Sequence, residues 1–457
     1  MQTPWVHYRV TKLCYPRVGN PGYILDLIGK VTAVSVRTVE IVEGLPGLEI
    51  VHIHNPSLRV IVCCLIIDIV SDIKRVTRAL FEAPELDDRE LAVLAEIAEL
   101  KEALRFQLSE PRRWPGALRR MTFARNIQGS NSIEGFDAAL DDAAAVALGE
   151  EPLDADTETQ LALEGYRNAM TYVLQVVQEP SRAATEDFIK SLHFMMTNYD
   201  LKNRPGRWRA GAIYVQREET GEIVHEGADL DLVPTLMAEL ITLMNAQEGD
   251  ALIRAGMVHL NMAMIHPFRD GNGRMARCLQ SYVLAVDGML APVFMSIEEY
   301  LGRNTQTYYD VLAQVGGGSW QPERDTRPWI RFILTAHLRQ AQTLRRRVAA
   351  SEYLWSELER VATMRGLPER TIAALYDAAF GYRVRRGTYM AELKAADEEV
   401  TEATATRDLK ALSDAELLDA HGDKRGRYYT AAGSLRDVFQ RAREMRAPKQ
   451  TSDPFAV

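Results

Sequence analysis

Residues 266–277 read HPFRDGNGRMAR, and this stretch decides the fold. An apolar helical pattern, LIRAGMVHLNMAMI, leads into it and ends at His266-Pro267, because proline disfavours helical geometry in the residue before it. A tight loop with two glycines follows, and a new helix is predicted to begin near Asn272. The stretch therefore predicts two successive helices, at about 251–265 and 272–286, joined by a short loop.

The loop combines the features of an anion-binding site. The first backbone N–H groups of a helix have no partner within it, and Gly271 and Gly273 allow close approach of a ligand. Arg274 and Arg277 lie three residues apart on one helical face and would extend toward the same anion. A Gly-x-Gly pair or an Arg pair alone is weak evidence, but their combination predicts phosphate binding.

Two further residues suit phosphate chemistry. Asp270 is a hard oxygen ligand of the kind that binds Mg²⁺ together with phosphates. His266, at the rim of the loop, is placed to take a proton from an incoming hydroxyl group. A lone histidine at a helix end is more often a cap or a core residue. Together, however, these groups predict a site that binds a nucleoside triphosphate and supports attack on it.

The twelve residues resemble the signature of the Fic family, HPFx[DE]GNGRxxR, with every specified position present and in order. The resemblance extends over about residues 77–340 and includes RPGRWR at 204–209 and YLGRNTQTYYDVL after the motif helix. It implies a mainly α fold, a helical bundle that carries the motif in the loop between two helices. The implied activity is nucleotidyl transfer, from ATP to a Ser, Thr or Tyr hydroxyl of a target protein.

The resemblance also implies a role for each residue of the motif. His266 would be the general base, Asp270 would hold Mg²⁺, and Phe268 would anchor the loop in the core. The ATP phosphates would be bound by Gly271, Asn272, Gly273, Arg274 and Arg277, with Arg277 at the γ-phosphate.

A second segment, SNSIEG at 130–135, resembles the inhibitory motif [ST]xxxE[GN] of the same family. Its implied mechanism is that Glu134 pairs with Arg277 and occupies the γ-phosphate position, while Gly135 allows close packing of the helix. Ser130 completes the motif. The pattern alone occurs often by chance and would then mark only a capped helix.

The segment 211–226 contains two short apolar stretches around Thr220-Gly221, which predict a β-hairpin. The resemblance makes this hairpin a flap whose edge could pair with an extended target segment. The alternative is an ordinary surface hairpin. His225 lies in it and is assigned no chemistry. Tyr308 and Tyr309 border the adenine pocket or belong to the core, and the sequence does not decide between the two.

The 457 residues carry a net charge of −9, which argues against a protein that coats nucleic acid through bulk charge. Four scattered cysteines indicate no disulfide framework, and no secretory signal is visible. The apolar run Val60 to Val70 is too short to cross a membrane and predicts a buried strand. We therefore expect a cytoplasmic protein with no membrane partner.

Composition divides the chain into four parts. Residues 1–76 are rich in β-branched residues and remain uncertain, either a β domain or upstream sequence, and His52 and His54 there are more simply strand residues than metal ligands. Residues 77–345 form the Fic domain with its inhibitory helix, and 346–446 a helical linker and a winged helix. Residues 447–457 are expected to be a disordered tail.

The winged-helix prediction rests on TEATATRDLKALSDAELL, which has the form of a recognition helix followed by a turn. Possible phosphate contacts are Arg383, Arg385, Arg386, Lys424, Arg425 and Arg427. Residues 361–450 contain 16 Lys and Arg against 14 Asp and Glu, a balance of only +2. Because that footprint is weak, the module could equally bind protein or form a homodimer interface.

Two alternatives to adenylyl transfer stay open. The same fold could transfer UMP, phosphocholine or phosphate, or remove AMP from a target. Otherwise the protein would be a winged-helix DNA-binding regulator whose Fic domain only senses nucleotide. The complete motif argues against a pure sensor, because nucleotide sensing does not need His266.

Overall fold

The computed structural model describes residues 39–43, 49–53, 80–108, 114–179, 183–216, 221, 223–290, 296–444 and 452–456. The chain divides into two compact units, Met1–Thr77 and Arg78–Val457. The first unit contains strands β1 (Val39–Glu43) and β2 (Glu49–Ile53), which pair antiparallel with Val39 opposite Ile53. The strand predicted over residues 60–70 lies outside the described residues, as does His54.

The second unit is mainly helical, which confirms the predicted fold class. Its first helices are α1 (Asp88–Gln107), α2 (Trp114–Ser132), α3 (Leu140–Ala147), α4 (Thr157–Val176) and α5 (Glu186–Thr197). The hairpin strands β3 (Tyr214–Gln216) and β4 (Ile223–Glu226) follow, and then α6 (Val233–Asn245), α7 (Ala251–Ile265), α8 (Asn272–Val286), α9 (Glu298–Arg303), α10 (Thr305–Gly316) and α11 (Arg327–Met364).

The remaining elements form what we call the C-terminal module, residues 366–444. It contains α12 (Thr371–Ala379), α13 (Arg386–Ala395), α14 (Glu402–Asp414), β5 (Leu418–His421), β6 (Tyr428–Ala431) and α15 (Gly433–Glu444). Strands β5 and β6 pair antiparallel, and Val384 adds a single bridge to Tyr429 on β6. Three helices followed by a hairpin are the order expected of a winged helix, and that assignment stays a prediction.

Helix α1 begins with a capping box. The Asp87 side chain accepts hydrogen bonds from the backbone N–H groups of Arg89 and Glu90, and the Glu90 carboxylate accepts one from the Asp87 N–H. The three- and four-residue spacing of Leu91, Leu94, Ile97, Leu100 and Leu104 predicts an apolar stripe on this helix. The structure shifts its start, because Val93 is buried whereas Leu91 is half-exposed.

The chain end packs against the bundle where a disordered tail was expected. Phe455 is buried, and its ring lies 5.2 Å from the Arg331 guanidinium on α11. Its carbonyl oxygen accepts a hydrogen bond from Arg89 at 3.4 Å. An aromatic side chain near the terminus therefore orders residues 452–456, which composition alone did not suggest.

Helices α2 and α9 cross at two glycines. A Cβ atom on Gly302 would lie 2.8 Å from the Gly129 Cα, and one on Gly129 would overlap the Glu298 carbonyl oxygen. The two backbones can touch only because neither residue has a side chain. This contact fixes α2, the helix that carries the predicted inhibitory segment.

Two arginines predicted to contact DNA are engaged elsewhere. Arg383 contacts the carboxylates of three aspartates, and Arg385 donates a hydrogen bond to the Glu151 carbonyl oxygen. The Arg383 guanidinium is thus paired with carboxylates within the protein, whereas a phosphate contact by Arg385 stays a prediction. Within the ranges described above, no helix is both long and apolar enough to cross a membrane.

Substitution of Gly129 tests the crossing of α2 and α9. Gly129→Ala is expected to lower the free energy of unfolding by about 1–3 kcal/mol, because the methyl group would overlap backbone that cannot move freely. Gly116→Ala, in the same helix, is the matched control, since its Cβ would meet only the Arg120 side chain at 3.5 Å. We expect it to be neutral or slightly stabilising. Equal urea midpoints for the two variants would contradict the close contact.

Candidate active site

The loop between α7 and α8 is held in a strained conformation by Arg209. His266 caps α7 with φ 52°, a left-handed geometry that is unfavourable for a residue with a side chain. Arg209 compensates: its Nε donates to the His266 carbonyl oxygen at 2.9 Å, and its backbone N–H donates to the Pro267 carbonyl oxygen at 2.8 Å. Sequence analysis noted RPGRWR only as part of the resemblance and missed this function of Arg209.

The imidazole of His266 is oriented as a base. Its Nδ1 lies 3.1 Å from the Ala263 carbonyl oxygen, which can only accept, so Nδ1 carries the proton. Nε2 is then the unprotonated nitrogen. Burial lowers the pKa of His266 to about 4, and the ring is therefore neutral at pH 7.

The Asn272 side chain closes the loop. Its Oδ1 accepts from the Phe268 N–H at 2.9 Å, and its Nδ2 donates to the Phe268 carbonyl oxygen at 2.9 Å. Both ends of the amide are thus committed to closing the loop, and the side chain is buried. The prediction that Asn272 binds phosphate stays a prediction, and its backbone N–H at the start of α8 is the group that remains available to an anion.

His193 on α5 packs against the loop and supports it, and no sequence signal identified this residue. Its ring stacks on Phe268 with centroids 3.7 Å apart. Nε2 donates to the Asp270 carbonyl oxygen at 3.0 Å, while Nδ1 accepts from the Gly206 N–H at 2.8 Å. Burial lowers the pKa of His193 to about 4, which keeps the neutral tautomer that this pattern needs.

The start of α8 is an uncapped cationic pocket. Gly271 precedes the helix with φ 73°, and no side chain caps the first N–H groups. Arg274 is buried, contacts the Tyr199 hydroxyl at 3.0 Å and lies over the Phe136 ring at 5.1 Å. Its Nε is buried without a partner. The pocket therefore presents positive charge that the protein itself only partly satisfies.

Arg277, which is buried, forms an ion pair with Glu134, whose side chain is 24% exposed, as the resemblance implied. Arg277 NH2 lies 2.6 Å from the Glu134 Oε1, and Nε donates to the Ser130 hydroxyl at 2.8 Å. Burial opposes ionisation of Glu134, but the charges of Arg277 and Arg274 outweigh it and lower the Glu134 pKa. Arg277 NH1 is buried and has no partner.

The Glu134 carboxylate lies directly on the first turn of α8. A Cβ atom on Gly273 would collide with it. The carboxylate reaches this point because α2 ends in a tight turn, in which the Glu134 and Phe136 N–H groups both donate to the Asn131 carbonyl oxygen. Gly135 was expected to permit close packing, yet no atom lies within 4 Å of a Cβ placed there. It is needed for its φ of 83°.

Asp270 has accessible carboxylate oxygens. Its side chain is 46% exposed and makes only long contacts, 3.7 Å to Arg274 NH2 and 3.5 Å to Asn203 Nδ2. Hard, solvent-facing oxygens fit a Mg²⁺ ion that arrives with phosphates. The part of the chain that the structure describes contains no cluster of three or more His, Cys, Asp or Glu that could hold a metal alone.

The hairpin β3–β4 is attached to the end of α7. Val215 pairs with His225, and the His225 Nε2 donates to the Met264 carbonyl oxygen at 2.9 Å. Tyr214 and Ile223 are about half exposed on the strands. Of the two tyrosines considered for an adenine pocket, Tyr308 is a core residue that contacts His259 at 2.8 Å. The hydroxyl of the other, Tyr309, donates to the Ile133 carbonyl oxygen, beside Glu134.

The region that contains the loop between α7 and α8 is similar to known proteins. Residues 183–284 match the family model described as Fic/DOC family. A protein adenylyltransferase Fic from Nematostella vectensis is 26% identical over 232 residues, 46% of each chain, and one from Culex quinquefasciatus is 26% identical over 215 residues, 46% of this chain and 39% of the relative. The chain thus matches less than half the length of these curated relatives.

A solved structure, a Fic family protein from Desulfovibrio desulfuricans, is 24% identical with a TM-score of 0.48; the match covers 77% of this chain and 99% of that one.

The buried histidines predict loss of stability in acid. Burial lowers the pKa of His193 and His266 to about 4 and that of His259 and His337 to about 3. The unfolded chain therefore binds more protons below about pH 6.5, so the free energy of unfolding falls as pH falls from 7.5 to 5. His337→Gln should reduce that slope by up to about 1.4 kcal/mol per pH unit, measured by urea unfolding. The exposed His421→Gln is the control, and identical slopes for both would contradict the assignment.

Proposed function

We propose that this chain, whose residues 183–284 match the Fic/DOC family model, is a protein adenylyltransferase that transfers AMP from ATP to a Ser, Thr or Tyr hydroxyl of a target protein. One observation carries the proposal: a neutral histidine with a free Nε2 stands beside an uncapped helix start flanked by two arginines. Arg274 NH2 lies 3.8 Å from the Cβ position of Gly271, and Arg277 NH1 lies 3.2 Å from that of Gly273. The proposed general base and the groups that would donate hydrogen bonds to the phosphates are thus neighbours.

In the proposed reaction, the target hydroxyl attacks the α-phosphorus of ATP. The new O–P bond forms as the bond between the α-phosphorus and its bridging oxygen breaks, and pyrophosphate leaves. His266 Nε2 takes the hydroxyl proton, and its low pKa keeps it unprotonated beforehand. The first N–H groups of α8, together with Arg274, stabilise the negative charge on the phosphates.

Asp270 is the residue that would hold Mg²⁺ in this site, because its carboxylate oxygens are accessible at the rim of the loop. When bound, the ion would neutralise part of the triphosphate charge. The Asn272 side chain and His193 contribute by maintaining the loop shape that aligns these groups.

We further propose that Glu134 inhibits the transfer. Three features of the Glu134 carboxylate support this proposal. It pairs with Arg277, it covers the Gly273 backbone, and it places negative charge where a phosphate would lie. Productive ATP binding then requires that Glu134 withdraw, since like charges at that distance repel.

The hairpin β3–β4 suits the binding of an extended target segment. Its strands expose Tyr214 and Ile223, and His225 fixes it to the carbonyl of Met264, two residues before the proposed base. A main-chain pairing along this edge would bring a hydroxyl toward His266 without reading many side chains. The DNA-regulator alternative has less support, because Arg383 and Arg385 are already engaged.

Glu134→Gly is expected to raise transfer of label from α-labelled Mg-ATP to proteins of a host lysate by about 10- to 100-fold. This corresponds to loss of a charge-assisted contact that competes with the substrate. His266→Ala in the same background should reduce transfer by about 10²- to 10⁴-fold and serves as the control.

The same assay with γ-labelled ATP separates the alternative transfers. Label transferred from the α-position alone supports adenylylation, whereas label from the γ-position alone would refute it in favour of phosphate transfer. A Glu134→Gly protein no more active than the wild type would refute inhibition by Glu134.

A further inference from the structure

Arg383 of the C-terminal module is held by three carboxylates of the helical bundle. Its Nε contacts Asp141, its NH1 lies 2.7 Å from Asp154 Oδ2, and its NH2 lies 3.5 Å from Asp142 Oδ1. The pKa of Arg383 is raised above its ordinary value. The hydrogen bond with Asp141 is the largest cause, and the other carboxylates contribute less. These aspartates belong to α3 and to the loop that follows it.

The aspartates are themselves rigidly placed. Asp142 is buried, and its carboxylate accepts from the backbone N–H groups of Leu153, Asp154 and Ala155 at 2.7, 3.1 and 3.0 Å. One carboxylate thus folds the loop after α3 into the shape that surrounds Arg383. The arginine holds a structured element, because its partners are already ordered without it.

Two further contacts join the module to the same region. Arg120, on α2, pairs with the buried Glu392 of α13. Gly387 lies so close to Glu150 that a Cβ atom there would collide with its carboxylate. The module therefore contacts both helices that flank the Glu134 turn, α2 before it and α3 after it.

The distance along the chain from this contact to Glu134 is short. Asp141 follows Glu134 by only seven residues. The intervening turn is tied back to α2, since Gln128 Nε2 donates to the Ala138 carbonyl oxygen at 2.8 Å. A displacement of α3 must therefore strain or move the turn that places Glu134 on α8.

The module side of the contact is coupled to its hairpin. Val384, next to Arg383, exchanges two backbone hydrogen bonds with Tyr429 on β6, at 2.9 and 2.8 Å. The Arg383 guanidinium also lies 5.9 Å from the Tyr428 ring centroid. Movement of the hairpin β5–β6 is thus transmitted to Arg383 through backbone rather than through a flexible linker.

We propose that Arg383 is a clamp by which the C-terminal module keeps Glu134 in its blocking position, so that release of the module activates the transferase. The clamp rests on the proposed function, because its output is the activity that Glu134 restrains. The module is then a regulatory element of the site at α8.

The test compares the full-length protein with its Arg383→Ala variant, both with Glu134 intact, by label transfer from α-labelled Mg-ATP. Arg383→Ala is expected to raise transfer about fivefold or more, within the usual range for coupled sites. In the Glu134→Gly background the same substitution should have no effect, because no inhibitor remains to be released. Arg386→Ala is the matched control: Arg386 pairs with Glu402 inside the module, and both are exposed.

Two further measurements protect the test from misfolding. Asp141→Asn removes the same contact from the other side with almost no change in volume, and should activate similarly. Amide hydrogen exchange over residues 133–147 should accelerate in Arg383→Ala and Asp141→Asn but not in Arg386→Ala. Unchanged exchange would overturn the clamp.

The outcomes also separate this inference from the proposed function. If Glu134→Gly transfers label while both clamp variants stay as inactive as the wild type, the activity stands and the clamp is wrong. If Arg383→Ala changes transfer equally with and without Glu134, it does not act through the inhibitor, and the clamp is again wrong. If Glu134→Gly transfers no label, the proposed activity is wrong, and the regulation built on it is wrong as well.

Discussion

A guanidinium buried inside a helical bundle must be paired with negative charge. The structure of the site depends on which groups pair with Arg277. An unpaired buried cation would cost several kcal/mol. Ser130 on α2 and Glu134 in the turn after it supply the partners. Helix α2 must therefore run close to α8, which the glycine contact with α9 permits, and must end in a left-handed turn, which Gly135 provides.

The loop between α7 and α8 could be predicted from the sequence because its signals are local. Proline at 267 ends α7, glycine at 271 starts α8, and the observed helices Ala251–Ile265 and Asn272–Val286 have the bounds that these residues indicate. The functions of Arg209, His193 and the Asn272 amide could not be predicted. Arg209 and His193 depend on partners placed by tertiary packing, and His193 and Asp270 are 77 residues apart. The Asn272 amide bonds to Phe268, only four residues away, but no pattern in the sequence indicates that contact.

The C-terminal module shows the same limit for charge. A count of basic residues made Arg383 a candidate for DNA phosphates, but its nearest carboxylate lies 242 residues earlier in the chain. Net charge describes what a segment could attract in isolation. It does not reveal that an oppositely charged element of the same molecule has already neutralised it. The order of helices and hairpin, by contrast, follows from local patterns and matches what the composition indicated.

The bare Cα of Gly273 has a consequence for how such a protein can evolve. In the proposed function, the Glu134 carboxylate and a phosphate of ATP compete for one space. It is the space that a side chain at position 273 would fill. A side chain at position 273 that displaces the Glu134 carboxylate also excludes the phosphate. Constitutive activity therefore cannot arise by substitution of Gly273. Activating changes must instead lie outside residues 266–277, on α2 and its turn or at the contact between Arg383 and α3, which leaves the motif intact in active and restrained lineages alike.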